Sequence, residues 1–354
     1  MSGLDRLLQE KHLPFPGARV GILAHHASVN LHGRHTVDCL LETKAWRIEK
    51  LFSPEHGFFG RAAAGEEVEN SLHPTWKIPV HSLYGEHRSP PPAWLENLDL
   101  MIVDLQDLGI RCYTYASSLL LMMRACAQAG IPMLVIERPT PLAGIVDGPD
   151  LDPQCESFVG MIDLPLVFGR GQGDLAEFLK SHHSGLRDLQ LQVFRDSDAV
   201  VDTEKWIPPS PAIVSPACAR LYPVTVWCEA IADIDVDRGN ADSFAIWCMP
   251  DFPAELLKNP PIFKGMRATA LTGKRSGYHF QIDELSRFKP VENAVILLCA
   301  LRDHLGVERL FSQPDNRPEF FDKLMGTSSV REQLMAGLSA EEIVNSWSVS
   351  RQST

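Results

Sequence analysis

Four short apolar runs in the first 140 residues each stop abruptly at a cluster of polar, chemically capable side chains. Val20-Gly21-Ile22-Leu23 leads into His25-His26, and the run from Ile48 to Phe52 leads into Ser53-Pro54-Glu55-His56-Gly57. Leu100-Met101-Ile102-Val103 leads into Asp104-Leu105-Gln106-Asp107, and Met133-Leu134-Val135-Ile136 into Glu137-Arg138-Pro139. Short apolar runs of this length, separated by helix-length segments, read as buried parallel strands, so the fold class is α/β. Ligands of such open sheets bind outside the carboxyl ends of the strands. The four polar clusters therefore describe one pocket.

The spacing predicts helices at Leu4–Gln9 and Thr36–Thr43, a short one near Ala93–Asn97, and longer ones at 114–130 and 173–181. Gly130-Ile131-Pro132 ends the fourth of these. The section from 53 to 82 reads as loop, and a further strand is expected at Leu189–Phe194. After Ile136, Pro139, Pro141, Gly144, Gly148, Pro149 and Pro153 impose a long irregular connection. Pro208, Pro209, Pro211 and Pro216 mark a crossing into a second domain. It mixes strands at Ala268–Leu271 and Tyr278–Ile282 with helices at Glu292–His304, Ser328–Met335 and Ala340–Ser346. The expected division is 1–200 and 201–354.

Several functions are excluded by bulk properties. A net charge of −12 leaves no electrostatic footprint for nucleic acid, and no basic run suits an anionic membrane. The longest apolar region, 117–136, is broken by Arg124, Gln128, Gly130 and Pro132, too often for a membrane span. Residues 1–11 are charged and amphipathic, unlike a secretory signal, so a cytoplasmic protein is expected. Its eight cysteines are scattered without a C-x-x-C pair and read as small buried hydrophobes, with Cys112 a weak candidate nucleophile. Histidines 25, 26, 32, 35 and 56 match no zinc pattern, so no metal and no cofactor is expected. Gly169-Arg170-Gly171-Gln172-Gly173 has the look of a phosphate cradle, without the lysine–serine ending of one.

The candidate chemistry is carried by carboxylates. Glu55, set between a proline and a histidine at a strand exit, has the rigid placement a general acid needs, and Gly57 lets the chain turn away. Asp104 and Asp107 supply the second carboxylate that glycoside hydrolysis requires, to activate water or to stabilise an oxocarbenium ion. A loop-fixing Asp–Arg ion pair is the competing explanation for that segment. His25, His56 and Gln106 would contact substrate, with Glu137 and Arg138 at the fourth strand end. Tyr113 and Tyr115 would stack on a sugar ring or pack the start of the following helix.

Taken together, Phe52-Ser53-Pro54-Glu55-His56-Gly57-Phe58-Phe59-Gly60, Ser82-Leu83-Tyr84-Gly85, the segment from Asp104 to Tyr115, Arg138-Pro139-Thr140-Pro141 and Ser157-Phe158-Val159-Gly160 resemble the NamZ-type exo-β-N-acetylmuramidases. Weaker likeness continues through Phe288-Lys289-Pro290-Val291 and the segment from Phe321 to Thr327. The resemblance implies a Rossmann-like parallel-sheet amino-terminal domain, a smaller α+β carboxy-terminal domain and a site in the cleft between them. It implies release of terminal non-reducing β-1,4-linked N-acetylmuramic acid from peptidoglycan fragments, so the partner is a small muramyl sugar or muropeptide. The lactyl carboxylate of that sugar gives the arginines a task, with Arg111 first and Arg138 and Arg238 behind it. Where the family carries Glu-Gly-Arg-Gly-Thr-Thr-Arg-Pro-Phe, this chain has residues 236–244, which keep Arg238 but not the acid or the second arginine. A sugar-binding protein without chemistry, or a hydrolase of another class, are the competing readings.

Overall fold

A computed structural model describes residues 2–195, 201, 206–271 and 275–350. They form two compact units that are not contiguous in sequence. The first comprises residues 1–109, 113–143 and 169–211; the second comprises 110–112, 144–168 and 212–354. Part of the long connection after Ile136 thus packs with the carboxy-terminal half. The tie is visible at Asp147, whose carboxylate accepts the Val291 and Glu292 N–H groups, at 2.7 and 3.2 Å. It caps the start of a long helix whose first residue, Pro290, has no N–H to offer.

The first unit holds α1 (Gly3–Gln9), β1 (Arg19–Ala24), α2 (Thr36–Thr43), β2 (Arg47–Ser53), β3 (Ser71–Leu72), β4 (Pro79–Ser82), α3 (Pro92–Leu95), β5 (Leu100–Asp104), α4 (Tyr115–Ala129), β6 (Met133–Ile136), α5 (Gln172–His182) and β7 (Leu191–Phe194). The sheet order is β3-β4-β2-β1-β5-β6-β7, parallel except for the short edge strand β3. Without β3 this is the doubly wound order of a Rossmann sheet, as the sequence implied. Its central strands are buried along their length, which is why they read as unbroken apolar runs. Gly130 ends α4 at φ +68°, its N–H bonded back to Ala127 and Cys126.

Strands β3 and β4 fall in the section read as loop. Four residues with Val80 as the lone aliphatic carry no periodic signal, and pairing with β2 makes them a strand.

The second unit holds α6 (Pro216–Thr225), β8 (Ile246–Cys248), α7 (Ala254–Lys258), β9 (Met266–Ala270), β10 (Gly277–Ile282), α8 (Pro290–Leu305), α9 (Val307–Phe311), α10 (Pro318–Met325), α11 (Ser329–Met335) and α12 (Ala340–Ser350). Its antiparallel sheet runs β8-β10-β9. The proline-rich crossing contains α6, which begins with Pro216 at N1 and is capped by the Ser215 hydroxyl. Among the described residues no helix is long and apolar enough to cross a membrane.

Candidate active site

The order of the sheet reverses between β1 and β5, and the crevice of an open sheet lies at such a switch point. Register makes the two strand ends level, Ala24 pairing with Asp104. The next residues then meet directly: the Gln106 N–H donates to His25 Nε2 at 3.0 Å. Since Nε2 accepts, the proton of the neutral ring sits on Nδ1. Burial holds His25 well below the ordinary histidine pKa, so it stays neutral. Ser28 braces the pair, accepting the His25 N–H at 3.0 Å and donating to the Asp104 carbonyl at 2.6 Å.

Glu55 leaves the end of β2 on a tight turn. His56 takes φ +69° and Gly57 φ +75°. Such a conformation is uncommon for a residue with a side chain, and strain of this kind concentrates at functional sites. His56 Nδ1 donates to the Ala62 carbonyl at 2.9 Å and holds the next loop in place. That loop returns Gly65, whose N–H donates to Glu55 Oε1 at 2.8 Å, while the Thr114 hydroxyl donates to Oε2 at 2.7 Å. The Tyr84 hydroxyl also reaches this carboxyl. Glu55 is 7% exposed and anchored from three segments of the chain.

The two aspartates of β5 and its exit have opposite environments. Asp104 is fully buried, and both its oxygens are engaged by Arg138, through Nε and by Nη2 at 2.8 Å, and by the Thr36 hydroxyl. The ion pair considered as the competing explanation therefore exists, but with Arg138 rather than Arg111. Asp107 is 3% exposed and accepts the Leu108 and Gly109 N–H groups, at 2.5 and 3.1 Å, and the Gln172 amide. No cation among the described residues is paired with it. Burial pushes its carboxyl up to about 6.

This has a consequence for stability. Native Asp107 holds its proton between the unfolded carboxylate pKa near 3.9 and about 6, so its contribution is lost as pH rises through that window. In Asp107→Asn the Gln172 amide can turn over and accept from the new N–H. The stability of Asp107→Asn minus that of wild type should grow by roughly 2 kcal/mol between pH 4 and pH 8. Urea unfolding at the two pH values measures it; a flat difference would show that the carboxyl titrates normally.

Tyr113 and Tyr115 stand between the acids, and both feel the charges of Asp107 and Glu55. Neither offers a face to a sugar. Both are buried, their rings are 4.7 Å apart, and Tyr115 also packs edge-on against His25 and donates to the Pro209 carbonyl at 2.9 Å. Core packing at the start of α4 is the outcome. Gln106 spends its amide on the Asp107 and Pro139 carbonyls, at 3.1 and 2.9 Å.

Glu137 explains the glycine-rich loop. Its carboxylate accepts the Asp174 N–H at 3.0 Å in the first turn of α5. A Cβ on Gly171 or Gly173 would come within 1.7 or 2.0 Å of its oxygens. The cradle is real, but its anion is the protein's own side chain. Burial pushes Glu137 up to about 7.

Two of the three candidate arginines lie in the second unit. Arg111 is 0% exposed and donates to the Leu164 and Met325 carbonyls, each at 2.6 Å, and to Pro149 at 3.4 Å. Its guanidinium closes a backbone junction and does not wait for a carboxylate. Arg238 pairs with Glu229 at 2.8 Å and lies over Phe244. Cys112 is buried and its thiol is pushed up to about 12, which removes it as a nucleophile. Among the described residues no three His, Cys, Asp or Glu side chains are grouped to hold a metal ion.

Sequence reading missed Thr114, Tyr84, Thr36 and Gln172. The first two lie inside the motifs quoted above. Gln172 lies inside the glycine-rich motif, but it and Thr36 reach aspartates 65 and 68 residues away, which no local pattern announces.

Residues 20–217 match the family model for the amino-terminal part of exo-β-N-acetylmuramidase NamZ, and residues 220–353 match that for its carboxy-terminal part. The chain is 29% identical to the peptidoglycan β-N-acetylmuramidase NamZ of Bacillus subtilis, over 98% of this chain and 87% of that one. Two crystal structures of DUF1343 family proteins from Bacteroides fragilis share the fold. One has TM-score 0.86 and 24% identity over 99% of this chain and 95% of its own. The other has TM-score 0.73 and 25% identity over 98% and 94%.

Proposed function

Because the chain belongs to the NamZ family of exo-β-N-acetylmuramidases, we propose that it is a glycosidase releasing terminal non-reducing β-1,4-linked N-acetylmuramic acid from peptidoglycan fragments. The observation that carries the reading is Glu55, a carboxyl at a strand end near the switch point, fixed by Gly65 and Thr114 on a strained turn. Glu55 is the general acid that protonates the leaving glycosidic oxygen.

Asp107 is the second group. A carboxylate buried with amide donors and no paired cation is stabilised when positive charge develops at the anomeric carbon, so its field favours the transition state over the neutral substrate. Asp104 acts through Arg138, holding the ends of β5 and β6 together. His25 and His56 shape the pocket, and Gln106 fixes the exit of β5.

The eight cysteines are all free and buried, which supports a reducing, cytoplasmic setting. A role in recycling of cell-wall fragments follows from that setting and this substrate. Incubation with the disaccharide N-acetylmuramyl-β-1,4-N-acetylglucosamine tests the function: free N-acetylmuramic acid is the expected product. Calorimetric binding without product would favour the sugar-binding reading.

A further inference from the structure

The three arginines expected to hold the lactyl carboxylate of the substrate are engaged elsewhere. Arg111 is spent on backbone carbonyls, Arg138 on Asp104 and Arg238 on Glu229. A different guanidinium lies beside the acid. Arg88 is exposed, and its guanidinium carbon sits 4.4 Å from the centre of the Tyr84 ring. The hydroxyl of that same buried tyrosine reaches both Arg88 and the Glu55 carboxyl.

Resting on the proposed muramidase activity, we infer that Arg88, laid on the face of Tyr84, binds the lactyl carboxylate and sets the preference for muramic acid over glucosamine at this site. The geometry fits the chemistry of the sugar. The lactyl ether leaves C3, two ring atoms from the anomeric carbon that Glu55 must address. A cation for it must lie close to the acid, and the Tyr84 hydroxyl, reaching both groups, brings Arg88 near Glu55. A guanidinium held over an aromatic face can still present in-plane N–H groups as the fork that matches a carboxylate. Tyr84 becomes a positioning residue, orienting the cation with its face and the acid with its hydroxyl.

The test uses two substrates differing only in that charge: 4-nitrophenyl N-acetyl-β-muraminide and its lactyl methylamide. Wild type should prefer the acid. In Arg88→Ala the kcat/KM ratio of acid to amide should fall about 10- to 100-fold, the value of a charge-assisted hydrogen-bonded pair. Arg88→Lys should recover part of the ratio, because it keeps the charge but not the fork. A damaged fold lowers both substrates together and leaves the ratio intact, and an intact ratio overturns the assignment. If wild type hydrolyses neither substrate, the muramidase reading fails by itself. Calorimetry with N-acetylmuramic acid against N-acetylglucosamine then decides Arg88: wild-type preference lost in Arg88→Ala supports it, and equal preference overturns it.

Discussion

Glu55→Gln should lose about 10²- to 10⁴-fold in kcat on the natural disaccharide, the usual worth of a positioned general acid. The fold should survive. The glutamine oxygen still accepts the Gly65 N–H, and the Thr114 hydroxyl can turn to accept from the new amide instead of donating. The choice of leaving group separates acid catalysis from mere binding. A sugar alcohol needs a proton to depart, whereas 4-nitrophenolate leaves nearly unaided. The loss should therefore be much smaller on the nitrophenyl glycoside than on the disaccharide. Equal losses on both would assign Glu55 to binding, and unchanged turnover on both would remove it from the site.

The second large effect is on stability. Arg138→Met strands the Asp104 carboxylate in a fully buried position, where among the described residues the Thr36 hydroxyl is the hydrogen bond left to its side chain. Breaking a buried pair from one side costs about 3–5 kcal/mol, because the remaining charge has lost both water and partner. Pairing the change with Asp104→Asn removes that stranded charge, so the double variant should be more stable than Arg138→Met alone. Denaturant unfolding of the two single variants and the double variant gives the coupling directly. Strictly additive losses would show that Asp104 and Arg138 do not support one another.

The segment from Asp104 to Arg111 shows how far local sequence reaches. Its position at a strand end was legible, because a strand covered on both faces must be apolar throughout and polar residues begin where cover ends. The chemical promise of the segment was legible too, in two carboxylates, an amide and a guanidinium within eight residues. Their fates were not. Asp104 and Asp107 are three positions apart in one motif, yet one is ion-paired by Arg138 while the other keeps a raised carboxyl with no cation partner among the described residues. Arg111, the nearest guanidinium in sequence, turns instead to the carbonyls of Leu164 and Met325. The glycine loop bore only a weak likeness to a phosphate cradle, and the carboxyl that fills it, Glu137, arrives from another strand.

The polypeptide by itself determined the α/β class, the strands that make the centre of the sheet, and the ends where acids collect, since burial and turn chemistry act over a few neighbouring residues. Which carboxyl keeps a proton, which arginine is spent and which faces solvent was decided only on folding. Those properties depend on desolvation and on partners tens of residues away, and both come into being when the strands stand side by side.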